Sequence, residues 1–403
     1  MNDFSFSMPT QVVFGRGVTD RTGAELASRG YAHALVVYGQ GSVVRTGTLG
    51  RVLASLDAAG VAHTEFGGAR PNPSLAHARD GIALAREAAA DVVLAVGGGS
   101  AIDTAKGIAL GVPYEGDVWD LYTHAAAPVA DGKLPVACVL TIPAAGSEAS
   151  ASSVLTNDET LLKKGLSTEL NRPVVALMDP ELTFTLPAYQ TAAGVTDICA
   201  HILERFFSTS GPVPVTDSIC CGIIRSVMEA AVRVSHTPDD YDARATIMWA
   251  GTLAHNDLCG CGRGASIEKR AGGWESHGLE HEVSAHRPEV THGAGLAVIL
   301  PAWMRYVWRA NPDRFLAFAR DVFGIEPRDT TLEETERVVT SAIGSLQDFF
   351  ASIGMPRDFE GLGLSPDEVD GWVETLRENK GEPFGEFRPL TMEDARAIYL
   401  SCF

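Results

Sequence analysis

The apolar pattern of this 403-residue chain changes period once, near residue 186, and no other feature restricts the fold as much. Before that point short β-branched runs alternate with alanine-rich stretches. ALVVYG (34–39) and DVVLAV (91–96) read as buried strands, and PVACVLTIP (135–143) and PVVALMD (173–179) have the same character. Between the first two lie TGTLGRVLASLDAAG and SLAHARDGIALAREAAA, whose apolar residues recur at helical spacing. Such alternation with short glycine-containing turns specifies an α/β unit with a mostly parallel sheet. After DPELTFTLP the strand-like runs stop. QTAAGVTDICAHILERFFS, TDSICCGIIRSVMEAAVRVS, DARATIMWAGTLAHNDL, SLQDFFASIG, SPDEVDGWVETLR and TMEDARAIYLSCF all read as helices. The chain is too long for one ordinary core, so two domains are expected, an α/β domain over 1–186 and an all-helical one over 187–403.

The formal net charge is -19 and no long basic run interrupts it, which argues against nucleic acid or an anionic membrane as partner. No stretch reaches the ~18 uninterrupted apolar residues of a membrane span. The start, MNDFSFSMPTQVVFG, lacks a basic segment followed by an apolar one, so no signal peptide is expected. Seven cysteines, an odd number in mostly apolar contexts, read as buried free thiols of a cytoplasmic protein. Cys259-x-Cys261 has no second pair at zinc-finger spacing. GCGRGASIEKRAGG (260–273) reads as a solvated surface excursion, with a mobile lid as the alternative.

Two turns point to a phosphate-bearing cofactor. DVVLAVGGGSAIDTAKGIAL runs from strand through Gly97-Gly98-Gly99 into a helix, with Ser100 expected at the N-cap. Three glycines let the backbone approach a pyrophosphate, and the helix start offers free N–H groups. The spacing is not that of the standard dinucleotide fingerprint. A second turn, Tyr38-Gly39-Gln40-Gly41-Ser42, follows the ALVVY strand and makes a dinucleotide the better reading. No acid stands there to hold a ribose 2′-hydroxyl. Gly39 and Gly41 leave room for a 2′-phosphate, with Ser42 and Arg45 as donors, so NADP(H) is expected over NAD(H).

In the second half, Asp197-x-x-x-His201 and His277-x-x-x-His281 each place two side chains on one helix face, and His292 follows. One carboxylate and several imidazoles on facing helices suit a divalent transition metal. Any single histidine among them reads equally well as a hydrogen-bonded residue on a half-buried face.

GGGSAIDTAK, TIPAAGSE (141–148), MDPELTFTLP (178–187), GVTDICAH, GWESHGLEHE and HGAGLAVILPAWMRY (292–306) together resemble the iron-dependent (group III) alcohol dehydrogenase family over nearly the whole chain. The last two stretches are most similar to its NADPH-dependent butanol dehydrogenase and aldehyde reductase branch. The resemblance implies Asp197, His201, His277 and His292 as ligands of Fe²⁺ or Zn²⁺, and His281 as a non-ligand beside the nicotinamide that relays a proton. It places the cofactor at Asn72, Thr141 and Lys163 as well as at Gly97, Gly98, Gly99, Ser100 and Asp103. It further implies hydride transfer between NADP(H) and a small alcohol or aldehyde, and a homodimer paired at the sheet edge near TQVVFG (10–15). A dehydroquinate-synthase-like lyase is the alternative, although no Lys/Arg cluster accompanies the ligands. Three departures stand out. Ala145 replaces the family's usual threonine, one extra residue separates His281 from His292, and the 260–273 loop is long.

Overall fold

The structure is a computed structural model that describes residues 1–267 and 271–403. Packing divides the chain into two units, Ser7–Leu186 with Asp239–Thr252, and Met1–Phe6 with Pro187–Pro238 and Leu253–Phe403. Two short segments therefore group across the single cut expected at residue 186.

The α/β unit is built on six parallel strands, β1 (Gln11–Phe14), β2 (His33–Gly39), β3 (Ala62–Ala69), β4 (Val92–Gly97), β5 (Val136–Leu140) and β8 (Val175–Met178). They lie in the order β1-β8-β5-β4-β2-β3, and an antiparallel hairpin, β6 (Ser152–Asn157) with β7 (Leu162–Ser167), stands apart. Helices α1 (Thr22–Ala27), α2 (Ser42–Arg45), α3 (Thr48–Ala58), α4 (Leu75–Glu87), α5 (Gly99–Gly111) and α6 (Val118–Tyr122) connect them. Side chains alternate along a strand, so each strand feeds two cores. Val36, Val92, Leu94 and Val139 pack against Leu26 of α1 and Val52 and Leu56 of α3, whereas Val37, Val93, Ala95 and Cys138 pack against α4 and α5. The four expected strands and both expected helices are present. β3 and the hairpin were not expected, because AHTEFGGA, SSVLTN and LKKGLS carry no continuous apolar run. Backbone pairing with β2, from His33↔Ala62 to Val37↔Phe66, makes β3 a strand.

The helical unit contains α7 (Ala188–Phe206), α8 (Pro214–His236), the end of α9 (Tyr241–His255), α10 (Glu275–His286), α11 (His292–Val307), α12 (Pro312–Phe323), α13 (Leu332–Ser352), α14 (Val369–Lys380) and α15 (Met392–Leu400). Every residue of α11 from Gly293 to Met304 is buried, which makes it the central helix of the unit. No helix of the described residues is long and apolar enough to cross a membrane. The expected surface loop packs instead in its first half. Arg263 is buried, pairs with Asp217 and lies over the Phe206 ring, and Gly262 accepts from the Asn2 amide. The remainder of the expected lid includes 268–270, which lie outside the described residues.

α7 and α11 approach so closely that their backbones touch. A Cβ on Gly293 would stand 2.0 Å from the Ala193 carbonyl oxygen, whereas one on Gly344 in α13 would meet nothing within 4 Å. Gly293→Ala should therefore destabilise by ~1–3 kcal/mol through overpacking. Gly344→Ala should stabilise by roughly 0.5–1 kcal/mol through helix propensity. Opposite shifts in the thermal midpoint, followed by circular dichroism, check both.

Candidate metal centre and cofactor cradle

α7 carries Asp197 and His201 one turn apart, α10 carries His277 and His281 likewise, and His292 is the first residue of α11. The focus is Asp197 Oδ1. It lies 3.0 Å from His201 Nδ1, 3.6 Å from His277 Nε2 and 3.7 Å from His292 Nε2. Asp197, His201 and His277 are buried, whereas the His292 side chain keeps 25% of its surface, so the cluster opens on the His292 side. His281 is half-buried there, its ring 5.4 Å from that of His292 and 6.4 Å from that of His277. α10 ends at His286 and α11 begins at His292, with residues 287–291 as the connection. His286 points elsewhere, to Thr375 on α14 at 3.2 Å.

Two carboxylates not anticipated from the sequence complete the cluster. Glu204 Oε1 lies 3.2 Å from His277 Nδ1 and accepts from the His277 amide at 3.0 Å and the Ser276 hydroxyl at 2.6 Å. Glu280 Oε2 contacts His292 Nδ1. Both are fully buried. The signal was present, since Glu204 stands three residues after His201 and Glu280 three after His277, each on the same helix face as that histidine. Trp274, in the left-handed region at φ 57°, sets its ring 5.7 Å from His201 and 5.3 Å from His277, with the Arg205 guanidinium stacked on it.

The electrostatics call for a cation. Burial opposes ionisation of Asp197, yet the imidazoles of His201, His277 and His292 hold its carboxyl well below the usual range. Burial likewise opposes protonation of His277, but Asp197 and Glu204 flanking the ring push its pKa up to about 9. Asp197 Oδ1 and His277 Nε2 are buried with no hydrogen-bond partner among the described residues. Each such orphan costs about 1–3 kcal/mol. Ligands of a four-coordinate ion at about 2.0–2.2 Å stand roughly 3.3–3.6 Å from one another. The 3.0 and 3.6 Å separations of His201 and His277 from Asp197 fit that spacing, and these three donors lie within 4.8 Å of one another, whereas His292 groups in that way with Glu280 and His281; the donors suit Fe²⁺ or Zn²⁺.

In the α/β unit the glycine turns follow β2 and β4, which are neighbours, and the strand order reverses between them. An open parallel sheet binds ligands beyond its strand ends at such a reversal. α5 begins at Gly99 with Gly98 as N-cap and no side-chain cap, so Ser100 lies in the first turn and is not the cap expected. The Gly97 carbonyl accepts from the Thr141 amide at 3.0 Å, which brings Thr141 to the turn. Cβ atoms on Gly97 and Gly98 would lie 2.8 Å from Ala101 and 2.9 Å from Ile142, and one on Gly99 would lie 3.5 Å from Ala145. Asn72, at φ 55°, accepts from Lys163 Nζ at 2.9 Å. Gly39, Gly41 and Ser42 form the β2–α2 turn, where a Gly41 Cβ would stand 3.4 Å from Arg45 Nη1.

Asp103 faces inward. Its oxygens accept from the Ser147 hydroxyl at 2.6 Å and the Val154 amide at 3.0 Å, and burial raises its pKa. Fully buried Lys106, with its pKa lowered to about 8 by burial, donates to Ser147, Ser150 and Ser152. This tie between α5 and the 147–154 segment was not foreseen from the GGGSAIDTAK stretch. The described cysteines are all free, and none joins a group of metal-ligating side chains among the described residues.

Residues 9–180 match the model of the iron-containing alcohol dehydrogenases, and residues 191–403 match that of the Fe-containing alcohol dehydrogenase family, C-terminal. NADH-dependent butanol dehydrogenase A of Clostridium acetobutylicum is 37% identical over 403 residues, covering 99% of each chain. The NADPH-dependent aldehyde reductase YqhD of Escherichia coli is 32% identical over 405 residues, again with 99% of each covered. The crystal structure of NADH-dependent butanol dehydrogenase A from Thermotoga maritima superposes with a TM-score of 0.93 at 35% identity, covering 100% of this chain and 99% of that one. The lyase alternative is not favoured by these relatives. With an α/β unit carrying glycine turns at neighbouring strand ends and a helical unit carrying an Asp/His cluster, the chain belongs to the iron-containing alcohol dehydrogenase family and is an oxidoreductase acting on CH–OH groups with a nicotinamide cofactor.

Proposed function

We propose that the protein interconverts a small alcohol and its aldehyde with NADP(H), using a divalent metal held by Asp197, His201, His277 and His292. The observation that carries this reading is the convergence of three imidazoles on one buried, unsatisfied oxygen, Asp197 Oδ1. When bound, the cation supplies Lewis-acid polarisation of the carbonyl and the nicotinamide supplies the hydride. The residues do the rest. Trp274 and the apolar faces of α7 and α11 exclude water from the ligand side, and the His292 side admits substrate. Half-buried His281, beside His292 but outside the Asp197 focus, holds the proton that completes the alcohol. One aldehyde, one NADPH and one proton give one alcohol and one NADP⁺. Seven thiols without a disulfide support a cytoplasmic site of action.

Two variants separate the roles of the histidines. His277→Ala should stay folded and lose most of its bound metal by elemental analysis. His281→Ala should keep its metal and lose about 10²–10⁴-fold in kcat. Full metal occupancy in the first variant, or loss of metal in the second, would show the ligand boundary to be wrong.

The preference for NADP(H) rests on the β2–α2 turn, where no acid follows the strand and Arg45 leans over Gly41. Relatives bear both names, NADH-dependent and NADPH-dependent, and the turn of this chain supports the NADP(H) reading. Gly39 accepts a side chain, since its Cβ would stand 3.5 Å from the nearest atom, Ala69 O. Gly39→Asp should lower the NADPH/NADH ratio of kcat/KM by at least about tenfold, or ~1.4 kcal/mol. A native enzyme that prefers NADH tenfold would refute the reading.

A homodimer is the proposed assembly. β1 is an edge strand of four residues, and Phe14 and Trp249, both 38% exposed, meet edge to face at 6.4 Å in the same unit. Pairing of the edge with a second copy would satisfy its open backbone groups and cover that aromatic pair. Light scattering should give twice the chain mass, and a fully active dilute monomer would exclude a required dimer.

A further inference from the structure

We propose that Glu204 and Glu280 are positioning residues of the metal centre, a reading that rests on the ligand set above. Each carboxylate accepts the Nδ1 proton of one ligand imidazole, Glu204 from His277 and Glu280 from His292. Each ring then turns its Nε2 toward Asp197, at 3.6 Å and 3.7 Å. A ligand histidine whose second nitrogen is held in this way has one tautomer and one orientation, and it is a stronger donor to the metal.

The two carboxylates differ in what else they hold. Trp274 offers no side-chain cap to α10, and Glu204, reaching across from α7, takes that place. Its Oε1 receives the His277 amide and the Ser276 hydroxyl in the first turn. One oxygen thus sets both the start of α10 and the orientation of His277. Glu280 sits on α10 and reaches His292 at the first turn of α11, where Gly295 makes room for it. A Cβ on Gly295 would lie 2.8 Å from Glu280 Cγ and 2.9 Å from Oε1. In His-Gly-Ala-Gly-Leu, then, Gly293 admits the backbone of α7 and Gly295 admits the carboxylate that orients His292.

The test is Co²⁺ binding to metal-stripped enzyme, read by its visible d–d spectrum and by competition with a chelator. Wild type should bind one ion. Glu280→Ala should lower the affinity about 10–100-fold and alter the spectrum. Glu280→Gln, which keeps an acceptor for Nδ1–H, should recover part of that loss, a rescue that a space-filling role would not distinguish by charge. If Glu280→Ala does not fold, Gly295→Ala serves instead, because its methyl group displaces the carboxylate while leaving it in the chain. Glu204→Gln should also weaken binding, with an added loss of thermal stability from the weakened helix start. Glu280→Ala that binds Co²⁺ within threefold of wild type overturns the proposal while leaving the ligand set intact. Two ions per wild-type chain also overturn it, since Glu280 would then be a ligand with His281 and His292. No Co²⁺ bound by wild type, or His277→Ala binding as tightly as wild type, sinks the ligand set and the proposal together.

Discussion

Asp197 is a carboxylate inside a helical core, and the helical unit around it is arranged to meet the cost of that charge. An isolated ion taken out of water loses several kcal/mol of solvation, which only close partners can return. Here the partners are three imidazoles from three helices, and behind two of them stand further buried carboxylates. The alternation of carboxylate, imidazole and carboxylate favours positive charge at the centre, and against the effect of burial the Asp197 and Glu204 carboxylates raise the pKa of His277. A divalent ion answers the same demand. The close approach of α7 and α11 is part of this solution, because the His292 ring begins α11 at the point where Gly293 lets the two backbones meet.

The α/β unit meets a different demand, that of leaving bare backbone at its glycine turns, the feature on which the proposed phosphate site rests. Its two glycine turns lie at neighbouring strand ends where the strand order reverses, so the outgoing helices diverge to opposite faces and leave a gap between them. Side chains are excluded from the turn behind β4 by Ala101 and Ile142. The wall of the cradle is then fixed from inside by Lys106, Ser147 and Asp103, a buried chain of hydrogen bonds that ties α5 to the segment before β6. Ala145 lies in the same segment, beside the place a Gly99 side chain would occupy.

Much of this was legible in the chain. Short continuous β-branched runs mark strands buried on both faces and longer helix-forming runs mark helices, and so the ALVVYG and DVVLAV strands and the helices that carry Asp197, His201, His277 and His281 could be read directly. The spacing of Asp197 with His201, and of His277 with His281, follows from helix geometry and requires no tertiary information. β3 was hidden because its identity lies in backbone pairing with β2 and its side chains are not those of a core strand.

Sequence by itself determined the two kinds of architecture, the glycine turns, the charge that disfavours polyanions and the residue types able to bind a metal, because each depends on local periodicity or composition. Tertiary structure alone decided the rest. It set His292 beside Asp197 and His286 against Thr375, gave Glu204 and Glu280 their imidazoles, set Asp103 inward, and packed Arg263 where a solvated loop was expected. These outcomes turn on which side chains meet 12 or more positions apart, and a meeting of that kind is fixed by how the elements pack and not by the order of residues along any one of them.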